Sequence, residues 1–220
     1  MWLYDKEGNV LHEEHFVTLE NQHRYTYNEV KKKILSLRPI LKDRTYRSKL
    51  EIDQIIVILC LMILTASRVS EILRLRYMDL EINLEKKLII VHQRNLKNKN
   101  KIIKTYPILL DSDKNPDMDI VKPIVDYYSL YTNLIFKSKG KLNDESKLFG
   151  NITRFIIYKT TKDFLKLNPH GLRHIRLQHL AVTEKKNLKI VQKIAGHSTL
   201  RLLDRYIAVD TDDISSELYK

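Results

Sequence analysis

Apolar residues recur along this chain mostly at helical spacing, interrupted once by a stretch of β-rich runs. Val30, Ile34 and Leu37 share one face of a helix that starts at Tyr27 and is expected to end near Pro39, since a proline ring does not fit a helix interior. The K-D-R-T-Y-R-S-K stretch from Lys42 then reads as a basic connector. Glu51 to Ala66 is apolar nearly all round, the pattern of a helix enclosed on every side by protein. A second helix is expected from Ser70, carrying Ile72, Leu73 and Leu75. After Asp79 the pattern changes. Leu88 to Val91 and Ile102 to Ile108 are short β-rich runs, and the asparagines of R-N-L-K-N-K-N-K between them favour a turn, which gives a β-hairpin with a lysine-studded tip.

The rest of the described pattern is helical. Asp119 to Ile135 repeats apolar residues at helical spacing, with Pro123 in the tolerant first turn. Asn151 is the expected cap of Ile152 to Leu165. Pro169 opens a helix, where a proline sacrifices no needed donor. Asn187 and Gly196 bracket Leu188 to Ala195 as cap and stop, and Ser198 or Thr199 caps a last helix carrying Tyr206. Trp2 to Phe16 alternates loosely around Glu7 to Asn9, a small hairpin. The sum is a mainly α fold with a small antiparallel β-sheet (α+β).

Composition narrows the partners. Lys+Arg 39 against Asp+Glu 27 gives a formal net charge of +12, which favours a polyanion: nucleic acid first, an anionic membrane surface second. No basic amphipathic helix supports the second. The single cysteine, Cys60, excludes an internal disulfide and a cysteine-based zinc site, and its apolar neighbours make it a packed thiol. The run Ile55 to Leu64 is shorter than the ~20 residues that span a bilayer. The first residues lack a signal pattern, so the expected location is the cytoplasm, or a nucleus if the host is eukaryotic.

The candidate chemistry lies in scattered residues taken in order: Arg68 in T-A-S-R-V-S-E, His170, Arg173 and His174 in H-G-L-R-H, His197 in G-H, and Tyr206 nine residues on. Attack on a phosphodiester requires rigid positive donors around the non-bridging oxygens, and a guanidinium fork holds two oxygens without ever losing its charge. Arg68 and Arg173 fit such a clamp; the alternative for each is a surface ion pair. A phenol with a pKa of about 10 becomes a nucleophile when cations lower that value and an imidazole accepts the proton. Lys99 near the hairpin tip, with Lys97 and Lys101 nearby, is the candidate acid for the leaving 5′ oxygen; the alternative is a solvated charged turn. His170 and His174 stand at i and i+4, but no carboxylate or cysteine joins them in a zinc pattern, so neither a metal nor another cofactor is expected.

With these residues assembled, the chain resembles the catalytic domain of the tyrosine recombinases, or phage-type integrases. The family pattern is an arginine in T-G-x-R-x-S-E, a hairpin lysine, H-x-x-R, and G-H followed nine residues later by tyrosine; T-A-S-R-V-S-E, H-G-L-R-H, A-G-H and Tyr206 match it in order. The resemblance implies the tyrosine recombinase catalytic-domain fold over residues 25–209, which leaves an appendage at 1–24 and an acidic tail at 210–220 whose two readings are docking on a neighbouring subunit and a frayed terminus. It implies DNA cleavage and rejoining through a 3′-phosphotyrosyl bond to Tyr206, with Arg68, Arg173 and His197 on the phosphate, His170 as base or relay and Lys99 as acid. The implied partners are double-stranded DNA and further copies of the chain, without a membrane. A type IB topoisomerase uses the same residues, and a non-catalytic DNA-binding protein of this fold is the rival from another class.

Three departures from the pattern stand out. Ala66 replaces the glycine before Arg68. The lysine is ambiguous: counting eight residues back from Pro107 selects Lys99, while another loop length selects Lys97. Only residues 1–24 precede the catalytic region, where most members carry a helical DNA-binding domain. The sequence is either a fragment or a minimal enzyme that binds DNA from one side; with fewer phosphate contacts, binding is expected to be weak and little selective with a shallow salt dependence, the slope being about 0.9 per contact.

Overall fold

The segment that is apolar on every face becomes the axis of the fold. In the computed structural model, which describes residues 25–45, 47–94, 103–139, 147–150 and 152–196, helix α1 (Tyr27–Leu35) starts in a capping box. The Thr26 hydroxyl accepts from the Glu29 backbone at 3.3 Å and the Glu29 carboxylate accepts from the Thr26 backbone at 2.7 Å. The helix expected to reach Pro39 stops earlier, at Ser36. A new helix, α2 (Leu37–Arg44), starts there and places Pro39 in its first turn, where no intrahelical donor is lost. Lys42 to Arg44, expected in a connector, are therefore helical.

Helix α3 (Lys49–Thr65) is set by a second capping box, Ser48 with Glu51, and buries every residue from Ile52 to Ile63. It packs against α1, α2, α5 (Met118–Lys139) and α7 (Pro169–Gln178). Cys60 lies within it, and burial pushes its thiol far above the ordinary range, so it is an inert core group. Where a longer helix was expected from Ser70, α4 (Val69–Ile72) is a single turn.

Strands β1 (Leu80–Asn83), β2 (Leu88–Arg94) and β3 (Ile103–Leu109) form an antiparallel sheet in the order β1-β2-β3. The first strand was not legible in the sequence, since only Leu80 of its four residues is buried. In the β2–β3 register Ile89 faces Ile108, Val91 faces Tyr106 and Gln93 faces Lys104, all on the inner face. Helix α6 (Arg154–Thr160) takes its cap from Thr153 rather than Asn151, then widens into a π turn over Thr161–Leu165. Helix α8 (Leu188–Ala195) runs between the Asn187 cap and Gly196, as its sequence predicts. The hairpin expected over Trp2–Phe16, the expected turn with Lys97, Lys99 and Lys101, Asn151, and everything from His197 onward, including Tyr206 and the tail, lie outside the described residues.

A buried ionic network joins α1, the start of α5 and α7. Lys31 meets Asp117 at 2.9 Å, Asp117 meets Arg176 at 3.5 Å, and Arg176 meets Glu184 at 3.0 Å. The Tyr27 ring stacks on His179 at 4.3 Å and lies 4.6 Å from the Arg176 guanidinium. No described helix is long and apolar enough to cross a membrane.

Candidate active site

The end of α3 is built to project Arg68. Ala66 adopts the left-handed conformation, φ 49°, and the Ser67 N–H donates back to Met62 O at 3.2 Å, which reverses the chain direction. Arg68 is then extended and caps α4. Glu71 holds it at two points, accepting the Arg68 backbone N–H at 2.8 Å and its Nη1 at 3.0 Å. The Arg68 side chain keeps 26% of its surface exposed while Glu71 keeps 3%, so the guanidinium is braced from below and open above. Beside it, the Ser67 hydroxyl donates to Gln93 Oε1 at 2.6 Å, fastening this segment to β2.

Helix α7 supplies the second arginine. Asn168 caps it by accepting the Gly171 N–H at 2.7 Å, Pro169 occupies the first position, and His170 stands exposed in the first turn. One turn on, Arg173 is 1% exposed. Its Nη1 donates to Ala66 O at 2.5 Å and its Nη2 donates to Ala195 O. One guanidinium thus ties together the ends of α3 and α8. Beneath it, Ala66, Leu177, Leu180, Val191 and Ala195 form a small apolar cluster. The His170 and His174 rings meet edge-on, 4.6 Å between centroids.

Helix α8 ends at Gly196, whose φ of 63° suits glycine, and His197 is the next residue in the chain. Strand β3 leans on this end: the Tyr106 hydroxyl donates to Ile194 O at 2.7 Å, and burial first, then Glu71, pushes its pKa up to about 12. Tyr106 is therefore a neutral strut. Lys104, two residues before it on the same face, also reaches the site, a residue that motif reading passed over. The signal was present in the alternation of 104, 106 and 108 onto the inner face.

The structure brings Arg68 and Arg173 to one junction, with His170 one turn from Arg173; Lys99, His197 and Tyr206 lie outside the described residues. Among the described residues no cluster of three metal-ligating side chains occurs. What the junction offers among the described residues is an excess of positive charge: two guanidiniums and the Lys104 side chain with the carboxylate of Glu71. Such a cluster of cations suits an anion with several oxygens.

Residues 31–212 match the profile of the phage integrase family. Among solved structures, the XerH site-specific recombinase bound to its difH substrate superposes with a TM-score of 0.63 at 16% identity, covering 98% of this chain and 59% of that one. The XerA recombinase gives 0.55 at 16% identity, over 85% of this chain and 59% of that one. The Tn1549 transposon integrase in complex with a circular intermediate DNA gives 0.51 at 20% identity, over 88% and 64%. The chain thus spans about six-tenths of the length of these proteins, and at these identities the likeness establishes the fold. No individually curated protein matches the sequence.

Proposed function

This chain belongs to the phage integrase family, and from that premise we propose that it cuts and rejoins DNA as an integrase or site-specific recombinase of a mobile element. Tyr206 attacks the scissile phosphorus, a 3′-phosphotyrosyl bond forms, and the 5′ oxygen leaves with a proton. The energy of the broken ester is kept in the new one, so rejoining needs no external energy source. Arg68 and Arg173 hold the non-bridging oxygens, His197 adds a hydrogen bond, His170 relays the phenol's proton, and Lys99 protonates the leaving oxygen. Double-stranded DNA is the substrate, and copies of the chain associate on it.

One observation carries this reading. Arg173, 107 positions away from Ala66, donates to the Ala66 carbonyl two residues before Arg68, and to Ala195 two residues before His197. Three separate stretches of the motif set leave from that one buried guanidinium. Two cations fixed at one junction would stabilise charge that grows as the phenol attacks, the kind of donor whose removal costs about 10²–10³ in rate.

The test is covalent capture. The full chain is incubated with a library of nicked duplexes of randomised sequence, in which the short strand released by cleavage diffuses away. A protein–DNA adduct that survives denaturation is expected, and its DNA, once sequenced, defines a substrate. Tyr206→Phe is expected to yield none. No adduct from the unsubstituted chain, or an equal yield from Tyr206→Phe, contradicts the reading.

A further inference from the structure

Strand β3 delivers to the junction a cation that the motif set does not contain. Of the three inward side chains, Ile108 packs in the core and Tyr106 ties to Ile194, while Lys104 ends in an ammonium at the site. Its Nζ is shielded from solvent and, among the described residues, has no hydrogen-bond partner. The space that a side chain at Gly196 would need is filled by Lys104 Cε and Nζ, so the ammonium rests against the turn leading into His197. Across the sheet its neighbour is Gln93, the residue fastened to Ser67. Lys104 therefore stands between the Arg68 segment and the end of α8.

This is an unfavourable place for a lysine. Burial lowers its pKa; Glu71 offsets part of that, and Arg173 and Arg68 add to it. Glu71 is already engaged by Arg68 at 3.0 Å. An apolar side chain would fill the space without desolvating a charge. The cost is relieved if an anion enters between the guanidiniums, because its oxygens supply both the missing acceptor and the counter-charge. The four-carbon stem allows the ammonium to swing from the Gly196 turn towards such an oxygen.

We propose that Lys104 is a further catalytic residue of the strand-transfer reaction, a third cation that closes on a non-bridging oxygen of the scissile phosphate beside Arg68 and Arg173. The proposal rests on the strand-transfer reading above. It gives Lys104 a task separate from that of Lys99: neutralising charge on the phosphate rather than delivering a proton to the leaving oxygen.

The experiment uses the full chain and a duplex recovered by covalent capture, prepared in three forms. One has the ordinary phosphate. One has a methylphosphonate at the scissile position, which removes a non-bridging negative charge. The third has sulfur as the 5′ bridging atom, a leaving group that needs no proton. Lys104→Met removes the charge and keeps the stem; Lys104→Gln serves in its place if thermal unfolding shows the first to be misfolded. On the ordinary phosphate, adduct formation is expected to slow by about 100-fold, with noncovalent DNA binding retained. On the methylphosphonate the deficit should shrink at least to roughly a tenth of that, and on the bridging-sulfur substrate it should persist in full.

An equal deficit on all three substrates makes Lys104 a packing residue and overturns the proposal. So does the absence of any deficit, or full rescue by bridging sulfur, which would make Lys104 the proton donor. If the unsubstituted chain forms no adduct on any form, the strand-transfer reading has failed and the proposal falls with it, a result distinct from the variant-specific ones.

Discussion

Arg173 and Arg68 are both arginines of the candidate clamp, yet their surroundings assign them different burdens. Arg173 is buried and bonds two helix-end carbonyls, so Arg173→Met leaves both acceptors without their partner. Arg68 is partly exposed, and Arg68→Met leaves Glu71 its bond to the Arg68 backbone. We expect Arg173→Met to lose about 2 kcal/mol of stability, roughly 4–8 °C in Tm, and Arg68→Met less than half of that, while both abolish adduct formation. Thermal unfolding of the two variants side by side checks this; equal destabilisation would mean that Arg173 does not clamp the helix ends. Ala66 shows why its departure from glycine is tolerated. A left-handed alanine costs about 1 kcal/mol, and its buried methyl in the cluster with Leu177 and Val191 returns about 0.8 kcal/mol. At this scale the motif residues stand out by their order, and the structure brings Arg68 and Arg173 of that set to one junction. Lys104 was passed over because a lysine within a strand is ordinarily a solvated one, although its alternation with Tyr106 and Ile108 assigns it to the inner face.

Among elements, long periodic segments were read correctly and several boundaries were not. The continuous apolar pattern of α3 and the Asn187–Gly196 bracket of α8 each agree with local capping chemistry, and both appear as expected. Pro39 misled because a proline that ends one helix can equally sit in the first turn of the next. Strand β1 was missed because half-exposed edge residues carry no alternation to read. Nor did periodicity announce the ionic network, since Lys31, Asp117 and the Arg176–Glu184 pair lie on three separate stretches of chain. That network makes a pH prediction. His179 lies among Tyr27, Arg176 and Glu184, with Asp117 and Lys31 beyond; burial and then Arg176 hold its pKa below 6.5, Glu184 and Asp117 opposing. The unfolded chain therefore binds the proton more readily than the folded one. Stability is full above pH ~6.5 and falls as pH drops from there towards the folded value. Urea midpoints between pH 7 and pH 5 should decrease, and His179→Gln should flatten that slope; an unchanged slope would show that His179 does not sense the network's charge.

For the molecule as a whole, in the proposed reaction the +12 charge would supply long-range attraction to DNA, whereas the junction of α3, α7, α8 and β3 would supply local selection for one phosphate. The two levels differ in origin. Net charge can be read by counting, but the junction exists only because Arg173 crosses 107 positions to reach Ala66. The measurement that bears most directly on the account is the site of covalent attachment. Protease digestion of the captured adduct, followed by mass spectrometry, locates the nucleotide among the chain's 12 tyrosines and every other nucleophile. The account predicts a single modified peptide carrying a 3′-linked phosphate on Tyr206; attachment at any other residue, or a 5′ linkage, would contradict it.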